Sequence, residues 1–392
     1  MLTTRKGALL SNMWSPCFRK FSGINRRANK GLTVLGIESS CDDSCVAVVR
    51  YSDRSILADE RISQFGVHQT YGGIVPILAV REHEKNLPLV LASAMKRIEI
   101  ADKESIDLVA VTVGPGLKAC LRTGMNLAIE VGKQLNVSVI GVNHLEGHAL
   151  VPRIDNDQIR FPFMTLLVSG GHSCLSIANG PGDHMELGST LDDAMGEAFD
   201  KVIRSLNHPE ASARHGGAVL EALAKHGNPD SGLKLPIALR GPTHKRPRGF
   251  DFSFSGLKSS TSRTIARNEY ASEDIALAFQ HAAVEHATYV VSHALESFPH
   301  VRQLVVCGGV ASNEYLRSRL RTTGVKHKVE VFFPPNKLCV DNGVMIAWCG
   351  AERWMAAKTE DERKSMLISS TMHPKARWPL GDLRTDQTLH RP

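Results

Sequence analysis

Apolar positions along the chain cluster into two copies of one opening. TVLGI at 33–37 reads as a strand that meets the polar turn ESSCDDS and returns as CVAVVR at 45–50. FMTLLVS from Phe163, the turn GGHS and CLSIA repeat that plan. Apolar runs rich in β-branched residues and split by small polar ones predict a hairpin in each place. A second echo joins LVAVTVGPG at 108–116 to LVVCGGVASN at 304–313. Each ends an apolar strand in a glycine-bearing turn ahead of helical periodicity. The two echoes predict an α/β chain with an internal duplication; two unrelated α/β lobes are the alternative.

Helical spacing is clearest in TLDDAMGEAFDKVIRSL, residues 190–206. Thr190 and Asp193 fit a capping box. Leu191, Met195, Ala198, Val202 and Leu206 form the predicted buried stripe, and Asp193, Glu197 and Asp200 share the other face. Those acids either face solvent or border a ligand. Residues 229–254 are irregular and contain GPTHKRPRGFDFSF. Lys245, Arg246 and Arg248 make this a basic loop, with Phe250, Phe252 and Phe254 interleaved. Such a loop either meets nucleic acid by phosphate attraction and stacking or feeds a buried strand. The charged tail beyond about residue 355 carries no motif.

Composition sharpens this picture in two respects. The chain has 392 residues, 42% of them hydrophobic, which suits two domains better than one. No apolar stretch approaches the ~18 residues of a membrane-spanning helix. The net charge is +7, and the first 37 residues hold seven basic side chains and no acid. Those seven (Arg5, Lys6, Arg19, Lys20, Arg26, Arg27 and Lys30) equal the whole excess. Leu9, Leu10, Met13, Trp14 and Phe18 lie between them. An Arg-rich, acid-free, partly apolar start predicts a mitochondrial transit peptide over residues 1–30, and hence the matrix. A basic tail for nucleic acid is the alternative. The eight cysteines are scattered with no CxxC pair, which excludes a disulfide framework and a zinc ribbon. They read as small buried residues in a reducing compartment.

The chemistry centres on His144 and His148 in VNHLEGHAL. On a helix, positions four apart place both imidazoles on one side. Neutral imidazoles suit Zn or Fe. The order is HLEGH, not HExxH, so no glutamate stands as a zincin general base and a protease is disfavoured. Asp341, in PPNKLCVDNG, is either a third ligand or a helix cap. Two histidines and one carboxylate leave positions open on a metal. Glycine turns are candidates for anion nests: VSGGHS at 168–173 first, then GPG at 114–116 and GGVASN at 308–313. There is no GxxxxGK[ST] and no GxGxxG after the first strand, so neither a P-loop nor a dinucleotide fold is supported. Glu38, Asp42 and Asp43 crowd the first turn. They act through water, a metal or an acceptor nucleophile, or are simply solvated. Lys258 either neutralises substrate charge or lies on the surface.

GIESSCDDS, GPGLKACLRTG, NHLEGH, LLVSGGHS, DDAMGEAFDK, FSFSGLK, GGVASN and CVDNG, in that order, resemble the tRNA threonylcarbamoyladenosine transferase family, also labelled O-sialoglycoprotein endopeptidase-like. The resemblance spans about residues 33–350. With the basic leader, the chain looks like the mitochondrial member. The resemblance implies an α/β fold of two duplicated actin/Hsp70/sugar-kinase-like lobes around a central cleft. Residues 31–162 plus about 344–375 would form the first lobe and 163–343 the second. It implies metal ligation by His144, His148 and Asp341, with one divalent ion per subunit, Fe or Zn. Val168, Ser169, Gly170 and Gly171 would form the phosphate loop. Asp200, Gly217 and Asn313 would bind the nucleotide. Here ASARHGG departs from the commoner wording, and the step from Asp200 to Gly217 is longer than usual. The implied reaction moves a threonylcarbamoyl group from L-threonylcarbamoyladenylate to N6 of adenosine 37 of tRNA, with release of AMP. Asp42 or Asp43 would orient the amine or take its proton. The implied partners are tRNA and a separate synthase for the adenylate, with no membrane span and a homodimer allowed. An actin-fold ATPase or small-molecule kinase is the alternative enzyme, and a non-catalytic RNA-binding protein the alternative outside enzymes.

Overall fold

The computed structural model describes residues 31–101, 106–212, 215–238 and 250–383. The expected leader and the trio Lys245, Arg246 and Arg248 lie outside the described residues. The chain forms two compact units. One comprises residues up to His68, Ile74–His144 and Asn342–Arg377; the other comprises Gln69–Gly73, Leu145–Asp341 and the chain from Trp378.

The first unit is built on β1 (Thr33–Glu38), β2 (Asp43–Arg50), β3 (Ser55–Ser63), β4 (Leu108–Gly114) and β5 (Ser138–Asn143). Their order in the sheet is β3-β2-β1-β4-β5. β1 runs antiparallel to β2 and parallel to β4, which is parallel to β5. Every residue of β1 and β4 is buried, as strands covered on both faces require. The covers include α1 (Pro76–Ala101), α2 (Lys118–Leu135) and the helix Gly343–Ala356. That last helix lies close on the strands because of glycine: a Cβ at Gly36 would come within 2.4 Å of the Ala347 nitrogen. The tail is not inert. After the helix Glu360–Met366, Ile368 N–H donates to the Val139 carbonyl and Lys375 N–H to that of Val113. The segment thereby crosses the sheet and lies over the GPG turn, where a Cβ at Gly114 would meet the Lys375 carbonyl at 2.4 Å.

The second unit carries β6 (Phe163–Val168), β7 (Ser173–Gly180), β8 (Asp183–Ser189), β9 (Gln303–Cys307), β10 (Glu330–Phe332) and β11 (Asp382–Leu383). Their order is β10-β9-β6-β7-β8-β11. β6 pairs antiparallel with β7 and parallel with β9, and β9 pairs parallel with β10. Omitting the edge strand β11, each unit has a three-stranded meander extended by two parallel strands on its first strand. The duplication read from the two echoes is therefore real: β1/β2 match β6/β7, and β4 matches β9. The fold is α/β, with two duplicated lobes.

The longer helices of the second unit are α3 (His144–Leu150, whose first residue closes the first unit), α4 (Met195–Ser205), α5 (Gly216–Ala224), α6 (Ser255–Arg267), α7 (Ser272–Ser297) and α8 (Glu314–His327). Two expectations need correction. The predicted helix 190–206 starts only at Met195. Thr190 instead bridges to Phe252, its hydroxyl donates to the Asp193 carbonyl (2.7 Å), and Leu191 is 66% exposed. The Met195 amide is capped from afar by the Ser173 hydroxyl, 2.9 Å. Phe250, Phe252 and Phe254 are no stacking platform, because all three rings are buried in the core with Phe199, Phe279 and Phe298. Burying each such ring is worth about 1.5–3 kcal/mol.

Candidate metal and anion site

β5 runs directly into α3, HLEGHAL, so the helical repeat brings His144 and His148 to one side. Both are buried, at 5% and 0% exposure. The cap expected as the alternative role of Asp341 belongs to its neighbour: the Asn342 Oδ1 accepts from the Met345 amide at 2.8 Å. Asp341 is left for other work. Its Oδ1 lies 3.0 Å from His148 Nε2. One ligand atom from each of His144, His148 and Asp341 lies within 4.8 Å of the other two. Ligands on one ion, each at about 2.1 Å, stand roughly 3–3.4 Å apart at cis or tetrahedral angles. The His148–Asp341 spacing meets this. Two imidazoles and a carboxylate are the donors of a divalent transition metal with open positions.

α3 is fixed around these ligands. Glu146, 2% exposed, accepts from the Gly182 amide at 2.5 Å and faces His184 Nε2 at 3.3 Å. The His144 Nδ1 lies 3.1 Å from the Glu38 Oε2 and 3.2 Å from the Ser40 hydroxyl. Sequence reasoning placed Glu38 only in an acidic turn. Its contact with His144 follows from the strand order β1-β4-β5, for which no local signal exists.

The three glycine turns differ. GPG is packed shut: a Cβ at Gly116 would come within 2.6 Å of the Ser40 carbonyl, in addition to the tail over Gly114. VSGGHS is open. The Ser169 amide donates to the His172 carbonyl (2.8 Å), and the Ser169 hydroxyl accepts from the His172 amide (3.0 Å). That closes the turn, while a Cβ at Gly170 or Gly171 would meet nothing within 4 Å. Neither glycine has positive φ. Gly308 brings the GGVASN turn against it, with φ +89° and a Cβ position 2.4 Å from the Val168 carbonyl. The start of α4 approaches from the other side, where the Gly196 amide donates to the Ser169 carbonyl at 3.1 Å. The helix N-terminus contributes a favourable dipole for an anion.

Asp200 and Gly217 are brought together at the first turn of α5. The Asp200 carboxyl accepts from the Gly216 and Gly217 amides, beside His215 and Arg204. Burial nevertheless wins and raises its pKa from the ordinary value. Asn313 caps α8 through Oδ1 (2.9 Å from the Leu316 amide) and donates from Nδ2 to Gln280 (2.9 Å). Asp43 pairs with Arg61 on the neighbouring strand at 3.0 Å, whereas Asp42 lies half-buried in the turn before β2. Lys258 and Lys201 both engage Asp193, and Lys201 also reaches Glu197. The acidic face of α4 is thus partly neutralised from within. The described cysteines form no disulfide and six of them are buried; burial pushes Cys120 up to about 11, which makes it a poor nucleophile at neutral pH.

Residues 55–348 match the family described as TsaD, tRNA N6-adenosine threonylcarbamoyltransferase. The chain belongs to this family. A protein of Arabidopsis thaliana named "Probable tRNA N6-adenosine threonylcarbamoyltransferase, mitochondrial" is 36% identical over 378 residues, covering 91% of this chain and 77% of that protein. The tRNA N6-adenosine threonylcarbamoyltransferase of Dichelobacter nodosus (strain VCS1703A) is 39% identical over 357 residues, covering 90% of this chain and 98% of its own. Among solved structures, HypF of T. kodakarensis superposes with a TM-score of 0.55 at 15% identity, over 85% of this chain. The chain spans about half of that HypF (49%), and the likeness concerns the fold alone. As a threonylcarbamoyltransferase the chain is an enzyme acting on tRNA, and its His144–His148–Asp341 cluster suits a metal-dependent transferase. Among the described residues no helix is long and apolar enough to cross a membrane.

Proposed function

We propose that this transferase moves the threonylcarbamoyl group of L-threonylcarbamoyladenylate to N6 of adenosine 37 in mitochondrial tRNAs and releases AMP. The observation that carries this reading is the His144–His148–Asp341 cluster, its histidines buried and its carboxylate half-buried, in a chain that matches the family from residue 55 to 348. The mitochondrial assignment is supported by the acid-free basic leader and by the name of the Arabidopsis relative. A divalent ion, Fe or Zn, held by His144, His148 and Asp341 would act as a Lewis acid on negative charge at the phosphate.

The residues themselves divide the remaining work. The open turn Val168–Gly171 binds the adenylate phosphate through its amides, aided by the α4 N-terminus. Asp200, with Gly217 beside it, receives a ribose hydroxyl. Asn313, held by its cap and Gln280, presents its second amide hydrogen to the adenosine side. The N6 amine of the acceptor is a weak nucleophile, so these contacts work mainly by fixing geometry. In the transfer, N6 forms a bond to the carbamoyl carbon. The bond from that carbon to the phosphate oxygen breaks and its electron pair leaves with AMP. The proton lost from N6 passes to Asp42, since the Asp43 carboxylate is engaged with Arg61. The synthase supplies the adenylate, and a homodimer is compatible with this scheme.

Purified chain, synthase-made adenylate and unmodified tRNA provide the test. Threonylcarbamoyl-adenosine should appear in digested tRNA with one AMP per transfer, and the H148A chain should be inactive. Adenylate hydrolysis without modified nucleoside, or full activity of H148A, would contradict the proposal.

A further inference from the structure

We propose that Glu38 is a positioning residue for the metal site: it fixes the tautomer and orientation of His144. The inference rests on the reading of His144 as a metal ligand. Glu38 is the last residue of β1 and only 1% exposed. Its carboxylate joins the C-terminal ends of three neighbouring strands. Thr112 of β4 donates its hydroxyl to Oε2 at 2.5 Å, and the Ser40 amide donates to Oε1 at 2.5 Å. The His144 Nδ1, one residue past β5, completes the set at 3.1 Å from Oε2.

A buried carboxylate is tolerated only when donors surround it. Oε2 is an acceptor, so the partner atom on the imidazole carries the hydrogen. With Nδ1 protonated, the lone pair of His144 resides on Nε2, which is therefore its ligand atom. The carboxylate also holds the ring plane, as partners of metal-bound histidines do. Glu146, in the helix itself, grips the backbone of the β7–β8 turn at Gly182 and His184, and so anchors α3.

The test is zinc affinity of the full chain, measured by competition with a chromophoric chelator at fixed pH, with folding of each metal-free chain followed by circular dichroism. Glu38→Gln keeps the volume but removes the charge and one acceptor. Outer partners of metal-bound histidines typically contribute about 10- to 100-fold in affinity, and a loss of that size is expected. In the His144→Ala background, Glu38→Gln should cause no further loss, because its partner is gone. Equal zinc affinity of the native, H144A and H148A chains would refute the metal reading and this inference with it. Loss in H144A and H148A but native affinity in folded E38Q would overturn the role of Glu38 alone. The same factor lost with and without His144 would also overturn it, since Glu38 would then act only on the fold. If E38Q does not fold, Thr112→Val decides: removal of the hydroxyl that steers Oε2 should lower zinc affinity in the same direction by a smaller factor. Unchanged affinity in T112V would then sink the proposal.

Discussion

Gly170→Val separates anion binding from folding at the VSGGHS turn. A Cβ at Gly170 meets no atom within 4 Å, and the residue has no positive φ. The added side chain therefore enters open space and should leave stability within about 0.5 kcal/mol of the native chain. That same space is where a phosphate would sit on the Gly170 and Gly171 amides. Each hydrogen bond from an amide to a charged oxygen contributes about 1.5–3 kcal/mol, so losing two costs roughly 3–6 kcal/mol. AMP affinity should then fall by about 10²- to 10⁴-fold. Gly308→Ala is the contrast. Its φ is +89° and its Cβ would lie 2.4 Å from the Val168 carbonyl, so this smaller change should cost about 2–5 kcal/mol of stability. Calorimetric AMP titration, filter binding of tRNA and urea unfolding on the three chains provide the readouts. The reasoning is refuted if G170V binds AMP as the native chain does. It is equally refuted if G170V loses AMP and tRNA together with its stability.

Three further outcomes are expected. Phe252→Ala should lose about 3–5 kcal/mol in urea unfolding, since its ring fills the core; an effect below about 1 kcal/mol would return the ring to the surface. For Asp200, burial raises the folded pKa, so the ionised form costs stability at neutral pH, and that cost fades as pH falls through the unfolded carboxylate range near about 4. Asp200→Asn should therefore raise the melting temperature of the ligand-free chain relative to native wherever the native carboxyl is ionised; the gap should narrow in acid, and a gap that widened would contradict the sign. Residues 1–32 fused to a neutral reporter should carry it into mitochondria, with cytosolic retention as the contrary result.

The duplication was legible because the central strands β1, β4, β6 and β9 are near-continuous apolar runs, and β4 and β9 both end in glycine-bearing turns. The histidine pair was legible for the same local reason: four residues make about one helical turn. What stayed hidden depends on contacts distant in sequence. The cap of α4 comes from Ser173, which no capping pattern near Thr190 could reveal. Asp341 stood open as ligand or cap until the cap was found on its neighbour, where Asn342 binds the Met345 amide. The three glycine turns looked alike in sequence, yet the tail at Lys375 fills one and leaves VSGGHS open. The phenylalanines beside the basic loop stood open between a stacking surface and a buried strand, because alternation does not say which face is the core.

The central claim is tested most directly by nucleoside mass spectrometry of tRNA purified from mitochondria of cells lacking this chain. The expected result is loss of threonylcarbamoyl-adenosine from mitochondrial tRNAs that carry adenosine 37, with cytosolic tRNAs unchanged. The full chain should restore it, and the His148→Ala chain, expressed to the same level, should not. Undiminished threonylcarbamoyl-adenosine in mitochondrial tRNA, or restoration by the His148→Ala chain, would contradict the account.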